Sequence, residues 1–275
     1  VLVPDIEHAG FYGFTNSPAA RIPSALPAGT HACGIGFATD LARAAQGSND
    51  AYAAGPTATD CAPTASAAGV RPGADTLTVR HASLESSAPR AGRVQLYSRR
   101  LASQELLDVF ADGRAPGVVD RDREIRDLEV HIYYVANASV GRPGWPALRV
   151  KSLTESAGAP QFRDEEVMPG VEDLQVEFGI AGTAVGPGRL RFVTADSPHL
   201  AGAHVVAVRL WLRIRADFTE GGYRDDRPLD YAGVQFTPAA DEARHRRVLI
   251  ERTVTLRNGS VFTNMPTTSC SSGRS

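Results

Sequence analysis

Histidines are the first residues of this chain that could do chemistry, because imidazole binds metals and carries protons in catalysis. The chain of 275 residues has seven, scattered singly along it. No H-E-x-x-H, G-x-S-x-G, P-loop or G-x-G-x-x-G motif is present, so only the fold could assemble a triad or a metal site. We predict surface histidines, no metal site and no catalytic residue; the histidines are His8, His31, His81, His131, His199, His204 and His245.

Short acidic groups are the second candidates. Asp120, Asp122 and Glu124 alternate as in part of a calcium loop, but the glycine of its sharp turn and the distal bidentate glutamate are missing. The acidic groups within 225–230 and at 165–166 could serve acid–base chemistry only inside a cleft. We therefore predict solvated carboxylates, no cofactor and no enzyme.

The cysteines allow a disulfide. In an exported protein Cys33 and Cys61 could close a loop, which is worth roughly 3–4 kcal/mol on the chain-entropy model. Zinc is the weaker interpretation, because His31 and Cys33 supply at most two ligands. Three free thiols in a cytosolic protein are the remaining alternative, and Cys270 has no assigned role.

Arginine and tryptophan share one face of a predicted strand at 205–215. Its even positions are apolar, whereas Arg209, Trp211 and Arg213 lie on the opposite, exposed face. Such a face could stack bases or bind sugars, or it could simply be solvated. Because 29 basic residues are offset by 31 acidic ones, we expect no nucleic-acid partner.

The elements that position these residues follow from periodicity. Residues 1–13 have the apolar spacing of the end of a helix that stops at Gly10 and Gly13, and 14–74 are an Ala/Gly/Pro-rich loop region with a possible short helix at 39–45. Residues 75–262 are mainly β, and 263–275 form a tail. We predict a single α+β domain with strands at 76–80, 94–97, 128–135, 147–152, 171–178, 190–193, 205–215 and 248–256.

Several blocks of sequence carry a family resemblance. Residues 5–13 (DIEHAGFYG) resemble the helix exit D-I-R-x-A-G-F-x-G of the PilW family of type IV pilus minor pilins, with Glu7 and His8 in place of a pair that commonly contains arginine. Later blocks are similar to that family in the same order: 73–80, 133–136, 146–149, 167–176, 205–212, 246–248 and 255–258.

The resemblance implies a pilin-like fold, in which a long N-terminal helix packs its second half on a large antiparallel sheet with long loops. Val1 lies within a helical pattern and is not methionine, so we expect a leader and a hydrophobic half-helix to precede it. The implied function is a minor pilin that primes type IV pilus assembly, at the filament tip, and supports pilus biogenesis, twitching motility and adhesion.

The same resemblance implies partners and a location. The partners would be other minor pilins, the major pilin and, through the missing helix, the inner membrane. The protein of a Gram-negative bacterium would face the periplasm before assembly and then enter the extracellular pilus. Candidate contact residues at the helix and its exit are Leu2, Ile6, Phe11 and Tyr12.

Other functions stay open. The minor pseudopilin J of type II secretion shares the style of block 167–176, although it is typically shorter. An exported tip adhesin could use residues 16–73 and the arginine–tryptophan face, and an exported hydrolase or carbohydrate-binding β-domain is a further alternative.

Overall fold

The computed structural model describes residues 1–15, 20–21, 33, 35–53, 61–100, 106–181 and 189–258. His31, Cys270 and the predicted tail at 263–275 lie outside these residues.

Helix α1 (Leu2–His8) is the predicted N-terminal helix, and it is short. Pro4 lies in its first turn, where the missing N–H breaks no hydrogen bond within the helix. The helix ends earlier than the sequence pattern indicated, because Ala9 is extended and Gly10 has a φ of +80°. Glycine adopts this left-handed conformation without the clash that a Cβ would cause.

The larger sheet contains eight strands in the order β1-β5-β4-β6-β3-β2, with β7 beside β6 and β8 beside β7. All pairs are antiparallel except β1 with β5. The strands are β1 (Ala20–Arg21), β2 (Ala45–Ser48), β3 (Thr76–Ser86), β4 (Ala91–Arg99), β5 (Leu106–Asp112), β6 (Arg123–Ala136), β7 (Ala147–Ser156) and β8 (Ala159–Pro169).

The smaller sheet has the order β10-β9-β11-β14 and is antiparallel throughout. A separate hairpin joins β12 to β13. The fold is thus mainly antiparallel β with few helices, as predicted, but its strands form two main sheets where the sequence suggested one. The strands are β9 (Val171–Ala181), β10 (Arg191–Thr194), β11 (His204–Thr219), β12 (Leu229–Tyr231), β13 (Val234–Phe236) and β14 (His245–Thr255).

Gly170 is the corner at which the chain passes from one sheet to the other, between β8 and β9. Its φ is +80°, and an added Cβ would lie 2.7 Å from the carbonyl oxygen of Arg215. Its N–H donates to Pro146 and its carbonyl accepts from Arg215, both at 2.8 Å. Only glycine fits this approach, which gives a physical reason for the glycine of block 167–176.

Both faces of the larger sheet are buried. Tyr133 and Val135 of β6 face α1 and the smaller sheet, where they pack with Ile6, Leu174 and Val208. The alternate residues of β6 face the other way, onto the region around the disulfide, in a cluster that includes Leu128, Val130, Ile132, Cys33 and Cys61.

The region predicted as loop contains regular structure where it is described. Helix α2 covers Ile35–Ala38, and Ala45–Ser48 form strand β2 against β3, so the expected helix at 39–45 is wrong. One-turn 3-10 helices follow at Ala65–Ala67 and later at Pro198–Leu200. The buried Arg80 organises this region, because its guanidinium donates to the carbonyls of Phe37 and Arg43.

Candidate functional site

The blocks that resemble pilus proteins lie far apart in sequence and contact one another in the fold. Asp5 of the first block reaches Tyr133 of a later one, and Arg257 of the last block reaches Glu7. Asp75 of block 73–80 accepts a hydrogen bond from the Val176 N–H in block 167–176. Two of these contacts involve α1. We therefore take the surface on which α1 packs, which we call the seat of α1, as the candidate functional site.

Asp5 is the polar centre of this seat. Helix α1 buries it against the larger sheet, where His81 of β3 and His131 of β6 present their imidazoles on the same face. His81 Nε2 lies 2.6 Å and His131 Nδ1 2.8 Å from Asp5 Oδ1. The Tyr133 hydroxyl donates to the other oxygen, Oδ2, at 3.0 Å. We call these four residues the helix anchor.

Charge pairing decides the protonation of the anchor. Burial alone would raise the pKa of Asp5, but hydrogen bonds and charges from His131 and His81 outweigh it and hold the pKa well below its usual range. Burial would lower the pKa of His81, but the hydrogen bond and charge of Asp5 outweigh burial and raise it above 6.5. The anchor therefore favours an aspartate beside an imidazolium.

The predicted surface histidines are wrong for His81, which is buried. Asp5 and His81 are 76 residues apart, and no sequence motif links them. The two histidines come together only because β3 pairs with β6. The nitrogen and oxygen atoms of Asp5, His81 and His131 that could bind a metal lie within 4.8 Å of one another.

Apolar contacts and the C-terminal end of β14 complete the seat. Ile6 and Ala9 are fully buried in the core between the two sheets. The Arg257 N–H donates to the Glu7 carbonyl at 3.0 Å, and the two side chains form an exposed ion pair at 2.6 Å. Beyond the helix, the Gly10 N–H donates to the Arg80 carbonyl at 3.0 Å.

Two of the predicted partner-contact residues are not available to a partner. Ile6 is part of the core, and Tyr12 is buried with its hydroxyl donating to the Leu41 carbonyl at 2.7 Å. Leu2 is partly buried against the same core as Ile6, and Phe11 is partly buried under the Arg126 guanidinium. Helical periodicity could not separate the two faces, because α1 has only seven residues.

Val1 and Val3 are the apolar residues of the helix region that face solvent, with exposures of 82% and 38%. They alternate with residues that pack on the sheets, and Pro4 beside them is also exposed. This surface is the part of α1 that a partner can reach.

The predicted exposed face of β11 is largely covered, so that prediction is wrong for two of its three residues. Trp211 is only 6% exposed and Arg213 only 5%. The β12–β13 hairpin covers Arg213, whose guanidinium lies 3.5 Å from the ring centre of Phe236. Arg209 is partly exposed and pairs with Glu177. Alternation identified the two faces of this strand but not the hairpin that covers one of them.

Glu172 lies at the centre of this covered face. Arg247 binds it with two hydrogen bonds, at 2.8 and 3.0 Å, and the Nε atoms of Arg213 and Arg215 lie 3.2 and 3.4 Å from it. Burial alone would raise the pKa of Glu172, but Arg247 and the other arginines lower it. We call Glu172, Arg213, Arg215 and Arg247 the arginine cluster; Asp173 and Glu242 balance its remaining charge.

The Cys33–Cys61 disulfide is present. It closes a separation of 28 residues and lies in the core on the far side of the larger sheet from α1. The predicted bridge is thus confirmed, and the thiols of these two residues are not free to bind zinc.

A cleft of about 580 Å³ opens between the exit of α1, β2 and the start of β11. Its lining is apolar and small, with Tyr12, Phe178, Leu200 and Leu256 among its larger residues. Among the described residues, Arg43 and His204 also line it, but no carboxylate does. The acidic groups of the sequence therefore lie elsewhere than in this cleft.

Residues 132–258 match the family model described as type IV pilus-assembly protein W, which confirms the predicted resemblance over that part of the chain. No curated protein matches the chain. A type IV-like pilin from Thermus thermophilus is a structural neighbour, with 15% identity, coverage of 72% of this chain and 83% of that chain, and a TM-score of 0.31. Among the described residues, no helix has the length and apolar character to cross a bilayer.

Proposed function

Because residues 132–258 match the family of type IV pilus-assembly protein W, we propose that this protein is a minor pilin. In this role it associates through α1 with other minor pilins, primes assembly of the filament and stays at its tip. It supports pilus biogenesis, twitching motility and adhesion. The family match is the observation that carries the proposal.

The seat of α1 supports it. A pilin needs a helix held firmly on one side and open to other subunits on the opposite side. Ile6 and Asp5 hold α1 on the sheets, and Val1 and Val3 leave an apolar surface. We propose that this surface contacts other minor pilins and the major pilin.

The proposed location follows from the same role. The protein is held at the inner membrane, facing the periplasm, by a hydrophobic helical segment continuous with α1, and it then enters the extracellular pilus of a Gram-negative bacterium. A disulfide between Cys33 and Cys61 agrees with an oxidising compartment. We propose no enzymatic activity.

Alternative functions have less support. An adhesin or carbohydrate-binding domain that uses the face of β11 would need Trp211 and Arg213 at the surface, and both are buried. A pseudopilin of type II secretion would share the helix seat. It would be distinguished by loss of secretion, with pili retained, when the gene is deleted.

The test is deletion of the gene in its own organism, with complementation by variants. Without the protein, surface pili counted by electron microscopy and twitching zones should fall together. Val3→Asp should fail to restore pili, because it places a charge on the proposed contact surface, while thermal unfolding of the purified chain stays within about 1 °C of wild type. Val118→Asp is the matched control, since Val118 is 71% exposed and distant from α1 in sequence.

Two results would count against the proposal. Normal piliation of the deletion strain would remove the pilus role altogether. Full complementation by Val3→Asp would leave the pilus role but exclude this surface of α1 as the contact.

A further inference from the structure

We propose that Asp5, His81 and His131 form a binding site for a divalent transition-metal ion, with Zn²⁺ as the best match, and that the bound ion fastens α1 to the larger sheet. The inference does not depend on the proposed pilin function.

The donor atoms suit such an ion. Two imidazole nitrogens and one carboxylate oxygen lie within 4.8 Å of one another. Zinc sites with an open position commonly use three protein ligands of these types, and imidazole also accepts Cu²⁺, Ni²⁺ and Co²⁺. Tetrahedral ligands at about 2.0–2.1 Å from zinc lie roughly 3.3 Å apart, so the carboxylate has to move about half an ångström from its contacts of 2.6 and 2.8 Å.

The surrounding groups orient the ligands as in a metal site. His81 Nδ1 lies 2.8 Å from the Ala82 carbonyl, which can only accept, so this nitrogen carries a proton. His81 Nε2 then faces Asp5 Oδ1, a second acceptor, at 2.6 Å, so a proton bridges the two atoms at this distance. A metal ion would take the place of this proton once the carboxylate has moved. Tyr133 donates to Asp5 Oδ2 and leaves Oδ1 directed at both histidines.

An ion can reach the site from solvent, and a carboxylate at the opening favours its entry. His131 is the most exposed of the three ligands, with 21% of its side chain accessible, while Asp5 and His81 are buried. Glu129 lies at the same opening, with Oε2 3.8 Å from His131 Nε2, and Arg93 pairs with its other oxygen at 2.8 Å. Two carboxylates, those of Asp5 and Glu129, thus face the two imidazoles.

The site would form only when α1 is docked. Asp5 comes from the helix, His81 from β3 and His131 from β6, at separations of 76 and 126 residues. An ion that binds the docked state alone stabilises it by mass action. The consequence is a helix whose attachment depends on available metal.

The experiment uses the purified chain freed of metal with a chelator and held at pH 7.5. Titration with ZnCl₂ in a calorimeter should show one ion per chain, and saturating Zn²⁺ should raise the midpoint of thermal unfolding by at least 3 °C. CoCl₂ should give the visible absorption of a low-coordinate cobalt site. His131→Gln should lower the Zn²⁺ affinity at least tenfold and abolish the thermal shift. His199→Gln, an exposed histidine outside the site, should change neither.

Asp5→Asn gives a second arm that tests the carboxylate. Its fold is checked by near-ultraviolet circular dichroism before titration, and His131→Gln serves alone if Asp5→Asn fails that check. Absence of Zn²⁺ binding by the wild-type chain would overturn the proposal. So would binding of equal affinity in His131→Gln, because the ion would then occupy other residues. Binding without a rise in the unfolding midpoint would overturn the fastening of α1.

Discussion

The helix anchor and the arginine cluster are both built around one buried carboxylate, and they differ in the groups that neutralise it. Asp5 is held by two histidines and a tyrosine, whereas Glu172 is held by three arginines. Arginine stays charged at every pH at which a protein folds, but histidine gains or loses its charge near neutrality. The arginines of the cluster therefore keep their positive charges as the pH changes near neutrality, whereas the charge of His81 in the helix anchor depends on the pH.

The different groups that neutralise Asp5 and Glu172 correspond to the different places of the two carboxylates in the fold. The arginine cluster joins β9, β11 and β14, which are hydrogen-bonded neighbours within one sheet. The helix anchor joins α1 to β3 and β6, strands from another part of the chain. Its histidines thus attach a separate element to the sheet, whereas the arginine cluster holds strands that already pair with one another.

Removal of Glu172 should have the largest effect. Glu172→Ala leaves Arg213, Arg215 and Arg247 buried with too few carboxylates, which should lower the free energy of unfolding by about 3–5 kcal/mol. Urea unfolding followed by tryptophan fluorescence measures this. Glu165→Ala is the control, since its ion pair with Arg163 is exposed. A loss no larger than that of the control would mean that the cluster contributes no net stability.

Removal of Asp5 should cost less. Asp5→Ala leaves His81, His131 and Tyr133 without their common acceptor, and we expect a loss of about 2–3 kcal/mol in metal-free buffer. Hydrogen exchange of residues 2–10 should speed up more than exchange in β9 and β11. Asp226→Ala, an exposed carboxylate, should leave both unchanged. Uniform loss of protection across both sheets would show that the anchor is part of the global fold and not of a local attachment.

Lowering the pH should reduce the stability that the arginine cluster contributes. The loss should be gradual and smaller than the losses from the two substitutions above. The pKa of Glu172 is lowered in the folded state, so its stabilisation is complete above its ordinary value of 4.5 and is lost as the pH falls through the lower folded value. Glu172→Gln should therefore show a shallower decline of the free energy of unfolding below pH 4.5 than wild type. Parallel curves would mean that Glu172 has the same proton affinity in the folded and unfolded chains.

The exposed pair between Glu7 and Arg257 should have the smallest effect. Arg257→Ala should lower stability by about 0.5 kcal/mol or less, because solvent screens the pair and the backbone hydrogen bond to the Glu7 carbonyl remains. Chemical unfolding in low and in high salt measures it, and salt should remove most of the difference. A loss as large as that of Asp5→Ala would show that this pair shares the attachment of α1 with the helix anchor.

Much of the fold could be predicted from local pattern. Each predicted strand overlaps an observed one, since half-buried strands show alternation. Strand β8 was missed because it is polar and mostly exposed, and β5 because both of its faces are covered from Leu107 to Ala111. Short pairings such as β12 with β13 have too few residues for a period to be visible.

The candidate site was less predictable. The sequence blocks identified α1 and Asp5 as part of a resemblance, but no spacing linked Asp5 to His81 or Glu172 to Arg247. Burial of Ile6 and Trp211 also depended on elements elsewhere in the chain. Residues that look exposed on an isolated helix or strand become core when a sheet or a hairpin covers them.

Sequence by itself determined the period of the longer half-buried strands, a helix end close to Gly10 and the cysteines available for a bridge, because these depend on neighbouring residues. Only the tertiary structure decided which carboxylate meets which base, and which face of α1 and β11 stays open to solvent. Those outcomes depend on contacts between residues as distant in sequence as Glu7 and Arg257, and local sequence does not encode that proximity.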